Sequence, residues 1–197
     1  MCKMFDQLKA FCQETLPFSD AELDRIDAYF VAKTLKKREY LFQEGGVCDF
    51  LAYIAEGCVR HFYLREGVEK TCDLSFGHDW VTDFQSFTSG SPGLMNLQAM
   101  QATTVFLIRK SDLLTLYREC PTYETFGRLM TERITLRATA IAMSLSAEKP
   151  EERFENLLKK KPDILQIVPQ RYVASYLGIE PESLSRLRKR IYEKQKP

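Results

Sequence analysis

The spacing of apolar residues divides the chain into helical ends and a strand-rich middle. In residues 3–31 and from residue 111 onward, apolar side chains recur at helical spacing, which predicts amphipathic helices. Between residues 31 and 110, short runs of β-branched and aromatic residues alternate with glycine turns, which predicts an antiparallel barrel or sandwich. The predicted fold class is therefore α+β. The predicted strands are 32–35, 39–42, 50–55, 58–65, 69–76, 96–102 and 104–109.

Local signals mark the ends of several predicted helices. Helices are predicted at 3–13 and 20–31, and Ser19 with Glu22 three residues later forms a capping-box pattern at the second of them. A helix at 111–119, capped by Ser111, precedes a long one from residue 121 to about 146. Lys149 and Pro150 are the predicted hinge, followed by an amphipathic helix at 151–160.

The predicted long helix is longer than a helix needs to be to cover one small domain. At about 25 residues it would extend roughly 37 Å. It contains no internal proline, and its only glycine is Gly127. This pattern does not decide whether the long helix packs within its own chain or pairs with the same helix of a second chain.

Residues 170–191 predict two short helices joined by a tight turn. Gly178 can close the first helix in a left-handed conformation, and Pro181 is favoured in the first turn of the second. Leu184, Leu187 and Ile191 repeat at positions i, i+3 and i+7, so the second helix has a buried stripe. This is the pattern of a helix-turn-helix.

The face opposite that stripe is polar and mostly basic. Long cationic donors, an acidic acceptor and small hydroxyls are the groups that a helix in the DNA major groove uses. The alternative is a solvated basic helix that does not recognise DNA. The predicted DNA-binding residues are Glu182, Ser183, Ser185, Arg186, Lys189 and Arg190 on the second helix, with Gln170 and Arg171 at the start of the first.

Composition is that of an ordinary globular chain, with a basic C-terminal part. The 197 residues carry a net charge of +1, but residues 150–197 hold 11 Lys and Arg against 7 Asp and Glu. No apolar run approaches the length of a membrane span and the N-terminus does not resemble a signal peptide, so we expect a cytoplasmic location without membrane association.

Six cysteines and two histidines give no metal-binding pattern. The cysteines at 2, 12, 48, 58, 72 and 120 form no C-x-x-C pair, and we expect structural thiols. His61 and His78 are 17 residues apart with no second ligand nearby, and no His-x-His cluster occurs. We therefore expect no metal site.

Two stretches resemble the Crp/Fnr family of bacterial transcription regulators. GIEPESLSRLRKRI, from Gly178 to Ile191, is similar to the turn and recognition helix of that family, with Pro181 as a departure. Residues 41–46 and 50–60 resemble the opening strands of its cyclic-nucleotide-binding jelly roll, in which Gly45 and Gly57 would make tight turns. The spacing of Cys2 and Cys12 does not match the iron–sulfur ligands of Fnr-like relatives, so no cluster is expected.

The resemblance implies an organisation and a set of partners. Residues 1–120 would form a cyclic-nucleotide-binding-like jelly-roll barrel, 121–147 a dimerisation helix, and 148–197 a helix-turn-helix domain in which Glu182 and Arg186 read base edges. A homodimer would bind a near-palindromic site in double-stranded DNA, and RNA polymerase is a further partner that the resemblance allows. The chain ends six residues after Ile191, so we expect a short form without a wing.

The resemblance fails where a cyclic phosphate should bind. Gly93 and Leu94 stand where the family has arginine and a hydroxyl residue, and the usual glutamate is missing near Trp80. We therefore expect no cyclic AMP, and an unknown small-molecule effector in its place. Its pocket residues would be Arg60, Trp80, Asp83, Phe84, Phe87 and Leu94, although aromatic side chains in a small barrel more often fill its core than line a pocket.

The function predicted from these features is sequence-specific regulation of transcription. The alternative is a sensory ligand-binding module that acts through protein partners rather than DNA. An enzyme is not expected, because the sequence contains no nucleophile elbow, phosphate loop, metal cluster or paired-carboxylate motif.

Overall fold

The N-terminal helices cover one end of a β-barrel. The computed structural model describes residues 3–194. A short 3-10 turn, Lys3–Phe5, leads into α1 (Asp6–Thr15), and the predicted second helix is divided into α2 (Asp20–Leu23) and α3 (Arg25–Tyr29). The capping box is confirmed: Ser19 Oγ accepts from the amide of Glu22, whose carboxylate accepts from the amide of Ser19.

Eight strands form the barrel from two four-stranded antiparallel sheets. One sheet has the order β1-β8-β3-β6 and the other β2-β7-β4-β5. The alternating side chains of both sheets enclose an apolar core that includes Leu35, Ile54 and Val105, all fully buried. The strands are β1 (Val31–Leu35), β2 (Tyr40–Phe42), β3 (Phe50–Glu56), β4 (Cys58–Arg65), β5 (Val68–Phe76), β6 (Trp80–Val81), β7 (Asn96–Ala99) and β8 (Thr103–Arg109).

The predicted barrel is confirmed, and two of its elements were missed. The two-residue strand β6 and the helix α4 (Phe84–Ser89) lie in a stretch for which no element was predicted, because both are too short to show a period. The predicted cap of the next helix was wrong. Helix α5 (Lys110–Glu119) begins directly after β8, so Ser111 lies inside the helix.

Gly57 makes the tight turn between β3 and β4. Its φ is +109°, and a Cβ there would lie 2.4 Å from Thr103 Oγ1 and 2.7 Å from Thr103 Cα. Thr103 Oγ1 in turn accepts from the amide of Cys58. Glycine is therefore required both by the backbone conformation and by the close approach of the first residue of β8.

Helix α6 (Pro121–Ala147) is the predicted long helix, and at 27 residues it extends about 40 Å. Only its first third is buried: Tyr123, Phe126 and Met130 pack with the N-terminal helices and the barrel. None of the later side chains of α6 is fully buried, and Leu136, Met143 and Leu145 are large apolar side chains exposed to solvent. None of the described helices is long and apolar enough to cross a membrane.

Four helices form the C-terminal part: α7 (Pro150–Lys160), α8 (Ile164–Ile167), α9 (Gln170–Tyr176) and α10 (Pro181–Lys194). Gly178 has a φ of +70°, as the left-handed helix end requires, and α10 begins at Pro181. Leu184, Leu187 and Ile191 are buried against Val173 and Leu177 of the preceding helix and turn. The same apolar cluster includes Cys58, Leu74 and Met100 of the barrel, so it joins the two parts of the chain.

Candidate functional site

The outer face of α10 is the first candidate site. Glu182, Ser185, Arg186, Lys189 and Arg190 are exposed, whereas Ser183 is half-buried and accepts from Arg186 Nη2 at 3.0 Å. The buried stripe turns these polar residues away from the protein, because side chains one turn apart share a helix face. The structure thus places all six predicted α10 residues on or beside one face.

Gln170 and Arg171 lie at the start of α9, near the beginning of α10. Gln170 Nε2 donates to the carbonyl of Pro181 at 3.4 Å, which joins the first turns of the two helices. Arg171 is exposed, and its Nη2 donates to the hydroxyl of Tyr172 at 2.8 Å. Arg190 approaches Glu151 at 3.9 Å, so part of the basic face of α10 reaches the start of α7.

The second candidate site is a cavity of about 440 Å³ between the barrel and α6. That volume is typical of sites for small molecules. Phe11, Trp80 and Phe84 form an aromatic side of the cavity. The side formed by α6 includes Arg133, Ile134, Arg137 and Ile141, and polar groups from the barrel are His61, Ser75 and Thr82.

Arg137 links α6 to the barrel wall of this cavity. Its Nη2 lies 2.9 Å from Asp73 Oδ1, and its Nη1 lies 2.8 Å from Asp79 Oδ2. The same guanidinium donates to the carbonyl of Leu74 at 2.8 Å. Both carboxylates raise the pKa of Arg137 despite its burial, so the group stays charged. One cation thereby pairs with two carboxylates at the junction of helix and sheet.

His61 lies on the cavity wall as a neutral imidazole. It is buried, its Nε2 is 3.0 Å from Ser75 Oγ, and burial lowers its pKa below the ordinary value of 6.5. His78 has a left-handed backbone with φ +73°, and its Nδ1 is hydrogen-bonded to the hydroxyl of Tyr53 at 2.7 Å. The cavity wall therefore includes two imidazole rings, each hydrogen-bonded to a hydroxyl group, beside the aromatic side.

Asp83 occupies the loop that follows β6 and organises the segment before β7. It is 3 % exposed, and its carboxylate accepts from the amides of Ser86, Leu94 and Met95 at 3.0 to 3.2 Å. A Cβ added at Gly93 would lie 2.7 Å from Asp83 Oδ2 and 2.6 Å from a ring carbon of Phe42. These backbone donors are already bound to a carboxylate of the same chain, and position 93 has no room for a side chain.

Three of the six residues predicted to line an effector pocket lie together at one cavity, and the other three line neither that cavity nor the one beside α6. Trp80, Phe84 and Phe87 line an apolar cavity of about 70 Å³, and Trp80 and Phe84 also line the cavity of about 440 Å³. Leu94 is 61 % exposed. Arg60 does not reach the cavity: in β4 it points to the outer face of the barrel, whereas its neighbour His61 points inward. The alternation of side chains along a strand explains the difference between these neighbours.

Arg133, Arg137 and Asp79 were not predicted as site residues. A signal was present, because Arg133 and Arg137 are four residues apart in a stretch of α6 that is otherwise rich in small and apolar residues. Cations at that spacing share a helix face and need a polar environment or a partner. The identity of the partner carboxylates depends on the register of distant strands, which the sequence does not specify locally.

The five cysteines that the structure describes are free thiols, and Cys2 lies outside the described residues. Burial raises the pKa of Cys12, Cys58 and Cys72 to about 12, so these side chains stay protonated. Within residues 3–194, no three side chains of His, Cys, Asp or Glu are grouped as metal ligands would be.

Comparison with known proteins shows what this chain is similar to. The sequence of residues 32–120 matches the cyclic nucleotide-binding domain family. Over these residues, which are less than half of the chain, the two antiparallel sheets have the fold of that domain. The comparison with curated protein sequences gives no match.

Solved structures extend the likeness beyond this domain. FixK2 from Bradyrhizobium japonicum has a TM-score of 0.72 at 18% identity, over 84% of this chain and 85% of its own. A transcriptional regulator assigned to the Crp/Fnr family, from Eubacterium rectale, has 0.68 at 14% identity, over 92% and 88%. The c-di-GMP responsive global regulator CLP of Xanthomonas campestris has 0.68 at 15% identity, over 89% and 93%. The chain therefore has the fold of Crp/Fnr-type regulators, with the cyclic nucleotide-binding domain followed by a long helix and a helical C-terminal part.

The buried His61 of this domain predicts a dependence of stability on pH. Because its pKa is lowered by folding, the unfolded chain binds a proton at this site before the folded chain does. The free energy of unfolding should therefore fall as the pH decreases below 6.5, through the window down to the lowered pKa. Urea unfolding between about pH 8 and about pH 5 measures this slope.

The variant His61→Gln should lose this part of the slope, since an amide cannot take up the proton. His78→Gln is the matched control, because it removes the other histidine of the same cavity and leaves His61 in place. Equal slopes in the wild type and in His61→Gln would contradict the prediction.

Proposed function

We propose that this protein is a dimeric, sequence-specific DNA-binding regulator of transcription. The observation that supports the proposal most directly is the exposed polar face of α10, opposite a buried stripe and next to the start of α9. The similar solved structures include proteins described as regulators rather than enzymes. In this proposal α9 and α10 form the helix-turn-helix, and α10 is the recognition helix.

The side chains of α10 have the chemistry of base readout. Arginine can donate two parallel hydrogen bonds to guanine, and glutamate can accept from cytosine. Arg186 and Glu182 are four residues apart on the exposed face, with Ser185 beside Arg186. Lys189, Arg190 and Arg171 extend the basic surface towards the phosphates, which position a protein on DNA without reading sequence.

A second copy of the chain is the partner that fits the exposed part of α6. Leu136 and Met143 are seven residues apart and are 71 % and 64 % exposed, and small alanine side chains lie between them. A seven-residue apolar repeat on a long exposed helix is the pattern of a two-stranded coiled coil. Two chains related by a two-fold axis would present two copies of α10 to a near-palindromic site, about one turn of DNA apart.

The effector proposed for the cavity is a small molecule other than cyclic AMP. A cyclic phosphate needs free backbone donors and a cation, but Asp83 occupies the amides of Leu94 and Met95. Gly93 leaves no space for an arginine side chain, as its neighbours Phe42 and Asp83 surround the position. The responsiveness of CLP to c-di-GMP, stated in its description, fits a fold that accepts more than one effector.

Arg137 is the group through which an effector would act on α6. A ligand in the cavity that displaced Asp73 or Asp79 from Arg137 would leave a charged group without its partner, which costs free energy unless the helix shifts. Such a shift would move both copies of α10, because α6 leads directly into the C-terminal helices. The effector thus selects between arrangements of the dimer.

Selection of duplexes from a random DNA pool tests the proposed function. We expect the wild-type protein to recover a two-fold symmetric motif. Glu182→Ala and Arg186→Ala should each lose discrimination at one defined position per half-site, at a cost of about 1 to 3 kcal/mol each. Fluorescence anisotropy with substituted duplexes, at two salt concentrations, measures the loss.

Lys160→Ala is the matched control for this experiment. It removes an exposed positive charge from α7 in the same part of the chain but outside the proposed reading face. It should weaken binding evenly across sequences. Recovery of no motif, with salt-sensitive binding that both test variants leave unchanged, would contradict the proposal and favour a protein partner.

Cyclic AMP should not stabilise the protein. A nucleotide at a hundred times its dissociation constant would add about 2.7 kcal/mol to the free energy of unfolding. We therefore expect no rise in the melting temperature at about 1 mM cyclic AMP, a concentration that would detect dissociation constants near 10 μM. Calorimetry measures this, with linear adenosine monophosphate as the control. A saturable rise specific to cyclic AMP would contradict the assignment.

A further inference from the structure

Arg60 lies where the outer face of the barrel meets α9. It is completely buried although it carries a charge, and both domains contribute to its environment. We infer that Arg60 and Tyr172 form a clamp that holds the DNA-binding helices in one orientation against the barrel and so sets the spacing between the two DNA half-sites. This inference rests on the proposed function and makes Arg60 a positioning residue for DNA recognition.

The clamp is a stack of a guanidinium between two rings. The Arg60 guanidinium carbon is 3.5 Å from the ring centroid of Tyr172 in α9 and 4.1 Å from that of Phe62 in β4. Its Nε donates to Thr71 Oγ1 at 2.8 Å, and its Nη1 to Glu69 Oε2 at 2.6 Å. A planar cation between aromatic faces is a strong contact when water is excluded, and the hydrogen bonds fix its plane.

A second contact lies one helical turn further along α9. The amide of Thr71 in β5 donates to Ser175 Oγ at 2.9 Å. Tyr172 and Ser175 are three residues apart, so both lie on the face of α9 that meets the barrel. Two contacts on one face fix the rotation of α9 about its axis as well as its position.

The clamp also reaches a residue predicted to contact DNA. The hydroxyl of Tyr172 accepts from Arg171 Nη2, and the Arg171 guanidinium carbon lies 4.7 Å from the centroid of the same ring. Tyr172 therefore lies between the clamp and a cation at the DNA-facing start of α9. Moving Tyr172 would move Arg171.

The hinge by itself does not define the orientation of the C-terminal helices. Arg153 in α7 donates to the carbonyls of Glu148 and Leu177, which ties the end of α6 to the turn after α9. If these contacts of Arg153 acted alone, the C-terminal helices could still rotate about them. The apolar cluster around Leu74 and Val173 holds the C-terminal helices on the barrel, and the clamp adds directional contacts that select one orientation.

The docked arrangement leaves the reading face uncovered. Glu182, Ser185 and Arg186 are exposed while α9 is held against β5. The clamp therefore positions α10 for DNA and does not block it. When α9 leaves the barrel, Arg60 loses the ring of Tyr172 and its guanidinium becomes hydrated, so the released arrangement has no unique orientation.

The test varies the spacing of the half-sites selected by the wild-type protein. Duplexes with the symmetric motif at its natural spacing, with one or two base pairs added or removed, and with one half-site alone are titrated against the full-length chain. Each added base pair moves a half-site by about 3.4 Å and turns it around the DNA axis. The wild type should bind altered spacings at least about tenfold more weakly than the natural one.

Arg60→Met keeps an unbranched apolar stem and removes the stacked cation. It should bind the natural site roughly tenfold more weakly than the wild type and distinguish the spacings by no more than about threefold. Its affinity for a single half-site should stay within about twofold of the wild-type value. Tyr172→Leu should behave in the same way, and combining the two substitutions should add little.

Two controls separate positioning from general damage. Tyr172→Phe keeps the stacked ring and should retain the spacing preference. Arg65→Met removes an exposed cation at the end of the same strand, away from α9, and should also retain it. Tyr172→Leu changes the other side of the clamp, so it tests the inference even where Arg60→Met does not fold.

The outcomes distinguish this inference from the proposed function. A symmetric motif with a sharp spacing preference that Arg60→Met and Tyr172→Leu both retain overturns the clamp and leaves the proposed function standing. Tighter DNA binding by either variant also overturns it, because the docked arrangement would then oppose binding. A wild-type protein with no symmetric motif overturns both.

Discussion

The apolar cluster shared by the barrel and the C-terminal helices is the constraint on which the rest of the structure depends. Leu74, Cys58 and Met100 of the barrel are buried together with Phe154 of α7 and Val173 of α9. Burial of these side chains brings α9 against β5 and places Tyr172 over Arg60. The polar contacts at this junction then select one orientation among those that the apolar surfaces allow.

Strand β5 has a central place in this arrangement because its residues meet both the cavity beside α6 and the clamp at Arg60. Asp73 and Ser75 line the cavity beside α6, and Asp73 pairs with Arg137. Thr71, two residues before Asp73, binds both Arg60 and Ser175 of α9. The register of β4 and β5 shifts between the pairs His61–Asp73 and Phe62–Thr71. This irregularity accompanies the change from Asp73, which faces the cavity, to Thr71, which faces Arg60. The cavity wall at Asp73 and the clamp at Thr71 are therefore only two residues apart along β5.

Features set by neighbouring residues were predicted from the sequence. The capping box at Ser19, the left-handed Gly178, the start of α10 at Pro181 and the stripe of Leu184, Leu187 and Ile191 all depend on residues a few positions apart. Most strands of the barrel were predicted within two residues for the same reason. The resemblance of the whole chain to Crp/Fnr regulators is confirmed at the level of the fold.

Features set by distant pairing were not predicted. Arg60 was expected in the effector pocket, but the direction of its side chain depends on which face of β4 is covered, and α9 covers the outer one. The partners of Arg137 come from β5 and the turn after it, more than fifty residues earlier. Strand β6 exists only because β3 pairs with it. These facts follow from sheet register and domain docking, which no local pattern encodes.

The most direct test of the account is the mass of the protein in solution and on a symmetric duplex, measured by sedimentation velocity. The account predicts twice the 22.9 kDa of one chain for the free protein, and two chains added to the mass of the DNA for the complex with the duplex. Met143→Glu, which places a charge on the exposed face of α6, should give a monomer that keeps its fold and binds single half-sites. A wild-type monomer that occupies its specific site as one chain per duplex would contradict the account.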